Sequence, residues 1–119
     1  MSAVSQYLSE VQRVLKSGDA REHAYRPAFQ RLIESIMSDI QVINEPAYTG
    51  GNAPDFLFKK GDVPIAYAEC KDVTVDISSP EVQKQAQRYV DAFGKILLTN
   101  YLEFRIIDEN GEVTRISIA

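Results

Sequence analysis

Residues 54–71 read PDFLFKKGDVPIAYAECK, and this stretch decides the fold. Two short apolar runs flank the turn signal KGD at 60–62, which predicts a β-hairpin. Asp55 stands at the start of the first strand, and Glu69 and Lys71 stand at the end of the second. Because hairpin strands are antiparallel, these two ends lie side by side. Three charged side chains therefore converge at one end of two apolar strands. Because burying a charge is costly, such a cluster usually has a charged partner or a functional role.

The face of the sheet on which Asp55 lies depends on the length of the hairpin loop. Side chains alternate along a strand, so Glu69 and Cys70 point to opposite faces. A three-residue loop at 60–62 pairs Asp55 with Tyr67 and puts Asp55 on the face of Glu69, whereas a two-residue loop would put it on the other face. Since glycine in a three-residue loop commonly takes the left-handed conformation, we favour the three-residue loop.

Length and composition fit one soluble globular domain of 119 residues. No run of about 18 apolar residues predicts a membrane-spanning helix, and the N-terminus lacks the layout of a signal peptide, so we expect a cytoplasmic protein without membrane contact. The single cysteine, Cys70, cannot form an internal disulfide, which suits a reducing compartment. The net charge of −4 means that nucleic acid, if bound, would need a local basic patch or a partner domain.

The pattern of apolar residues predicts the order α-α-β-β-β-α-β-β-β, which is an α/β domain with a central mixed β-sheet flanked by helices. Helical spacing covers 4–16, 20–40 and 80–93. Strands are expected within the hairpin and at 40–45, 95–99, 102–107 and 112–118. Pro27 is expected to kink or split the second helix. We interpret residues 1–119 as one domain, with an N-terminal helix in residues 1–18.

The residue types at the hairpin ends suit phosphodiester hydrolysis. Two carboxylates, Asp55 and Glu69, offer the hard oxygen ligands that Mg²⁺ or Mn²⁺ prefers. A divalent ion can polarise a phosphoryl oxygen and acidify a bound water. Lys71, two residues from Glu69 on the same face, can orient that water or stabilise the charge that develops on the phosphate.

This pattern resembles the signature of the PD-(D/E)XK nuclease superfamily. The pair PD at 54–55 is followed, after thirteen residues, by ECK at 69–71. The segment QAQRY at 85–89 is similar to the Gln-x-x-x-Tyr element of the RecB-like and Mrr-like branches. REHAYRP at 21–27, with GNAPD at 51–55, resembles the N-terminal nuclease domain of type ISP restriction–modification enzymes. The resemblance covers most of the chain and implies a restriction-endonuclease-like core.

The resemblance also implies a role for each matching residue. Asp55 and Glu69 would be metal ligands, and Lys71 would be the catalytic lysine. Glu22 would be the helix carboxylate that completes the metal environment, often through water. Gln85 would hold the active-site lysine or the backbone in place, with Tyr89 supporting it.

Each of these assignments has a simpler structural alternative. The two carboxylates could form an ion-pair cluster with Lys71 at a sheet edge. Glu22 could be an acidic residue favoured by the dipole at a helix N-terminus. Gln85 could be a helix boundary residue, and Tyr89 is more often a core aromatic. The arginines of the second helical region, among them Arg26, could line a phosphate path or form a solvated face.

These expectations combine into a Mg²⁺-dependent deoxyribonuclease, a DNA endonuclease domain that is part of a restriction system or derived from one. Its expected partner is DNA. The motor and methyltransferase modules that accompany such domains are not recognisable in this sequence, which has no phosphate-binding GxxxxGK[ST] loop. The alternative is a non-catalytic nucleic-acid-binding or assembly module on the same fold, which the net negative charge favours.

Overall fold

A computed structural model of the chain describes residues 2–18, 22–44 and 53–117. The helices within these ranges are α1 (Ala3–Lys16), α2 (Arg26–Ile36) and α3 (Pro80–Phe93). The strands are β1 (Gln41–Asn44), β2 (Phe56–Lys60), β3 (Val63–Cys70), β4 (Lys95–Thr99), β5 (Glu103–Asp108) and β6 (Gly111–Ser117). Among the described residues, no helix is long and apolar enough to cross a membrane.

Within the described ranges, the six strands form one mixed sheet in the order β1-β2-β3-β4-β5-β6. Strands β3 and β4 are parallel, and the other neighbours are antiparallel. Helix α3 makes the crossover from β3 to β4, because parallel neighbours cannot be joined by a tight turn. The predicted element order and the mixed sheet flanked by helices are confirmed.

The helix ends follow the local chemistry of the sequence. The Ser79 side chain accepts a hydrogen bond from the Val82 N–H at the start of α3, and Gly94 ends that helix in the left-handed conformation. The predicted split at Pro27 is confirmed, since a 3₁₀ turn at Glu22–Tyr25 abuts α2 there. The predicted extension of this helix to residue 40 is wrong, because the helix ends at Ile36 and the chain turns. Ile40, the last residue of the apolar pattern, is nevertheless buried.

The hairpin loop is shorter than predicted. Lys60 pairs with Val63, so the loop contains two residues and the three-residue prediction is wrong. In a regular hairpin this loop would place Asp55 on the face opposite Glu69. The register of the strands beyond the turn prevents that outcome.

A β-bulge in β3 restores the alternation that the short loop would have reversed. The pairing shifts by one residue at Ile65, so that Phe58 faces Ala66. A bulge adds one residue to one strand and changes which side chains share a face beyond it. Continuing this register sets Asp55 opposite Glu69, and the two carboxylates lie on the same face of the sheet.

One face of the sheet packs on α1 and α2 through an aromatic core. Phe29 of α2 lies at its centre, with ring centroids 5.1 Å from Phe56, 6.1 Å from Tyr101 and 6.2 Å from Phe104. Phe29 itself is fully buried. Such aromatic contacts bury a large apolar area and fix α2 against the sheet.

The other face packs on α3 through a smaller apolar cluster. The buried helix residues are Val82, Ala86, Tyr89 and Val90, and they pack with Ile96 and Leu98 of β4. Near the end of α3, Phe93 stacks on Tyr67 of β3 with ring centroids 4.0 Å apart. The α3 helix is thereby fixed over β3 and β4, beside the carboxylate pair.

Candidate active site

Four polar side chains converge where the start of β2 meets the end of β3, on the face that α3 covers. Asp55 directly precedes β2, Glu69 belongs to β3, and Lys71 follows β3. Gln85 reaches this group from α3. The Asp55 N–H donates to the Ala68 carbonyl at 3.0 Å, which extends the strand pairing to the edge of the site.

Both oxygens of the Asp55 carboxylate accept hydrogen bonds. The Cys70 N–H donates to Oδ2 at 2.7 Å, and the Arg26 guanidinium donates to Oδ1. The Arg26 side chain is 6% exposed and that of Asp55 is 18% exposed. This charge-assisted pair is therefore largely withdrawn from water, where such bonds are stronger than at the surface.

Gln85 connects Glu69 and Lys71. Its Nε2 donates to Glu69 Oε2 at 2.8 Å, and its Oε1 accepts from Lys71 Nζ at 2.5 Å. Lys71 Nζ also lies 3.2 Å from Glu69 Oε2. The amide orientation follows from this network, since only this assignment satisfies both neighbours. The three side chains form a closed triangle that fixes the lysine ammonium beside the carboxylate.

Burial raises the pKa of Glu69 to about 8. The hydrogen bond and the negative charge of Asp55 add to this rise, and the positive charge of Lys71 opposes it. Two carboxylates that share a poorly solvated site favour a bound proton on one of them. A cation that entered the site would compete with that proton.

Tyr89 links α3 to the segment that leads into β2. Its hydroxyl donates to the Ala53 carbonyl at 3.1 Å, two residues before Asp55. Burial raises the pKa of Tyr89 to about 12, and the charges of Glu69 and Asp55 contribute to the rise. The phenol therefore stays protonated at neutral pH and can keep donating this hydrogen bond.

The three-dimensional comparison identifies the fold. No protein-family model matches the sequence, and no curated protein sequence matches it. Among solved structures, a chain of the cryo-EM structure of the DrdV–DNA complex superimposes with a TM-score of 0.79. The alignment covers 98% of this chain and 86% of that chain, at 20% sequence identity. The chain has a restriction-endonuclease-like fold. At this identity the likeness establishes the fold alone.

Within the restriction-endonuclease-like fold, one predicted site residue lies partly outside the described structure. The backbone of Glu22 belongs to the 3₁₀ turn before α2, but its side chain lies outside the described residues. Its role as a metal ligand stays a prediction. The GNAP part of the predicted motif at 51–55 is described only at Ala53 and Pro54, so the first two residues of that motif also fall outside.

The site contains one residue whose role the sequence left open. Arg26 is 5% exposed and contacts Asp55, so it belongs neither to a solvated helix face nor to an open phosphate path. Its position one turn before Phe29, on the apolar stripe of the helix, is the sequence signal that indicates burial. A buried arginine requires an acidic partner, but the sequence alone offers many.

The donor set fits a hard divalent cation. Asp55 and Glu69 provide carboxylate oxygens, which suit Mg²⁺ or Mn²⁺ better than softer metals. Among the side chains that the structure describes, no three from His, Cys, Asp and Glu form a metal-binding group. Two carboxylates still match the usual Mg²⁺ arrangement, in which water and substrate phosphate supply the remaining ligands.

Proposed function

We propose that this protein is a Mg²⁺- or Mn²⁺-dependent DNA endonuclease. The observation that carries the proposal is the convergence of Asp55, Glu69 and Lys71 at one strand end, with Gln85 bonded to both Glu69 and Lys71. A restriction-endonuclease-like fold supports the reaction class. The likeness to a chain solved in a complex with DNA supports DNA as the substrate.

In this proposal Asp55 and Glu69 hold the divalent cation. The cation, when bound, supplies a Lewis acid that polarises a phosphoryl oxygen and lowers the pKa of a water. Glu69 must lose its proton to bind the cation, and the adjacent Lys71 ammonium favours that loss. Asp55 is held by its two hydrogen bonds, so little reorganisation is needed when the cation enters.

Lys71 acts on the reacting phosphate. Its ammonium group is held by Gln85 and Glu69 yet remains 23% exposed, so one N–H can point to substrate. A fixed ammonium in a partly dry site stabilises the extra negative charge that a phosphoryl group gains when water attacks. Gln85 is a positioning residue in this scheme, because its contacts are to Lys71 and Glu69.

DNA affinity needs basic groups that the overall charge of −4 does not provide. Lys84 and Arg88 are exposed one turn apart on α3, beside Gln85. We propose them as contacts to the sugar–phosphate backbone. A further module that supplies additional affinity, such as a motor or a methyltransferase, stays a prediction, as does membership of the Mrr-like or type ISP branch.

A plasmid-nicking assay with Mn²⁺ tests the proposal. We expect the wild-type protein to nick DNA with Mn²⁺ and to lose activity in EDTA. Lys71→Met and Asp55→Asn should each reduce the rate about 100-fold or more, since each removes a charge that acts in the transition state. Lys95→Met is the matched control, because Lys95 is an exposed lysine at the far end of β4 and should be dispensable.

The alternative function is a non-catalytic nucleic-acid-binding or assembly module. The net charge and the ion pairs already present around both carboxylates favour it. If the wild-type protein at high concentration fails to nick DNA in either metal but still shifts a DNA fragment in a gel, the endonuclease proposal is wrong and this alternative replaces it.

A further inference from the structure

We infer that Arg26 is a positioning residue that fixes Asp55 in the orientation in which it binds the divalent cation. The inference rests on the proposed function, because it assigns the support of a ligand at that site. Arg26 begins α2, which packs on the face of the sheet opposite α3. Its contact with Asp55 therefore joins the aromatic core on one face to the polar cluster on the other.

Among the described side chains, Asp55, Asn44 and Phe56 contact the Arg26 guanidinium group. One nitrogen donates to Asp55 Oδ1, and the other donates to Asn44 Oδ1 at 3.0 Å. The central carbon lies 5.7 Å from the centroid of the Phe56 ring. A planar guanidinium can satisfy a carboxylate, an amide and a ring at once, whereas an ammonium group on a flexible stem cannot.

These contacts engage both oxygens of the Asp55 carboxylate. Arg26 holds one carboxylate oxygen, and the backbone N–H of Cys70 holds the other. Each carboxylate oxygen has two lone pairs, so the hydrogen bonds from Arg26 and Cys70 still leave electron pairs that can bind a metal ion. Hydrogen bonds to a ligating carboxylate generally fix its direction and strengthen metal binding.

A purely electrostatic role for Arg26 predicts the opposite effect on metal affinity. A positive charge beside a metal ligand repels the metal, so removing it would tighten binding if charge were the only effect. Positioning predicts that removal weakens binding, because Asp55 gains rotational freedom. The sign of the change in metal affinity therefore separates the two roles.

The experiment measures Mn²⁺ binding directly, from the electron paramagnetic resonance signal of free Mn²⁺, without any cleavage. We expect Arg26→Met to raise the Kd for Mn²⁺ about tenfold or more, as for other hydrogen-bond partners of metal ligands. Arg26→Lys keeps the charge but loses the planar fork, and it should also raise the Kd. Arg31→Met is the matched control, since Arg31 pairs with Glu10 at the surface and should leave the Kd unchanged.

Asn44→Ala is the second variant, and it tests the positioning role of Arg26 even if Arg26→Met does not fold. It leaves both charges in place and removes one of the contacts that hold the guanidinium, the hydrogen bond to Asn44, so we expect a Kd increase of a few-fold, in the same direction. In nicking assays the Mn²⁺ concentration for half-maximal rate should rise with the Kd, and the rate should recover at high Mn²⁺. A loss of folded protein alone would lower the rate without moving that midpoint.

Each outcome has a distinct meaning. Unchanged or tighter Mn²⁺ binding in Arg26→Met and Asn44→Ala overturns the positioning role and leaves the proposed function intact. Mn²⁺ binding by the wild-type protein without nicking overturns the proposed function, while the Kd values still test Arg26. No Mn²⁺ binding by the wild-type protein overturns both.

Discussion

The two faces of the sheet differ in what their side chains do, although the same strands supply both. On the α2 face, Ala68 and Cys70 of β3 are buried in a core of aromatic rings. On the α3 face, Glu69 and Lys71 alternate with them and form the polar cluster. Neighbouring residues in one strand therefore have opposite environments, because the side-chain period of a strand is two.

Under the proposed function, this difference separates the side chains that stabilise the fold from those that act on the phosphate. The aromatic face buries apolar area, which supplies most of the free energy of folding. The polar cluster on the other face gathers two carboxylates at one place, and burial, together with the neighbouring Asp55, raises the pKa of Glu69. Changes on the aromatic face should mainly alter stability, and changes in the cluster should mainly alter activity.

The largest expected effect on stability is that of Phe29→Ala in the aromatic core. Removing a fully buried ring that contacts Phe56 and Tyr101 leaves a cavity, and we expect a loss of about 3–5 kcal/mol in the free energy of unfolding. Gln85→Ala in the polar cluster should cost only about 1 kcal/mol, because Glu69 and Lys71 still contact each other. Urea unfolding in EDTA measures both. A Gln85→Ala loss as large as that of Phe29→Ala would contradict the division between the faces.

An intermediate effect, dependent on pH, is expected for Glu69→Gln. The folded protein holds a proton on Glu69 up to about pH 8, whereas the unfolded chain releases it near pH 4.5. The folded state therefore binds more protons between these values, and this group lowers stability as pH rises through that window. Asp55, Lys71 and Tyr89 are the ionisable neighbours that contribute to this shift or feel it.

Glutamine cannot ionise, so the variant should escape that loss. Without metal, the free energy of unfolding of the wild-type protein should fall by on the order of 2 kcal/mol more than that of Glu69→Gln when the pH is raised from 6 to 9. Urea unfolding in EDTA at the two pH values measures the difference. A stability difference that is the same at pH 6 and pH 9 would mean that Glu69 is already ionised in the folded protein at pH 6.

A small effect, similar to that of Gln85→Ala on stability, is expected for Cys70→Ala, at the position between Glu69 and Lys71. The Cys70 side chain is buried on the aromatic face, and only its backbone N–H contacts Asp55. We expect a loss of about 1 kcal/mol in stability and an unchanged nicking rate per folded molecule. A large fall in that rate would show that the two faces are coupled through this strand.

Much of the fold could be predicted because local signals agree with the final structure. The helix of α3 has a serine cap, a proline in its first turn and a glycine at its end, and these signals act within a few residues. The end of α2 was misplaced, because Ile40 is buried after a turn and keeps the apolar spacing without continuing the helix. Apolar periodicity predicts which residues are buried, but it does not show whether a buried residue still belongs to the helix or follows it.

The site was predictable in composition but only partly in geometry. Asp55, Glu69, Lys71 and Gln85 come together as expected, although the loop length that justified the shared face was wrong. The bulge that corrects it lets Phe56 and Phe58 pack on Phe29, which lies in a different element and far away in sequence. The role of Arg26 could not be predicted from the sequence either, because its partner Asp55 lies 29 residues away and the chain has many other acidic residues that could pair with it.

The bulge at Ile65 lies between the exposed hairpin tip and the two carboxylates. Residues 61–65 are exposed, and the strand register beyond the bulge is held by Phe56 and Phe58, which pack in the aromatic core. A short peptide or a fluorescent label inserted between Gly61 and Asp62 should therefore leave the orientation of the Asp55 carboxylate unchanged. The tip therefore offers an attachment point for a label that does not contact the carboxylate pair.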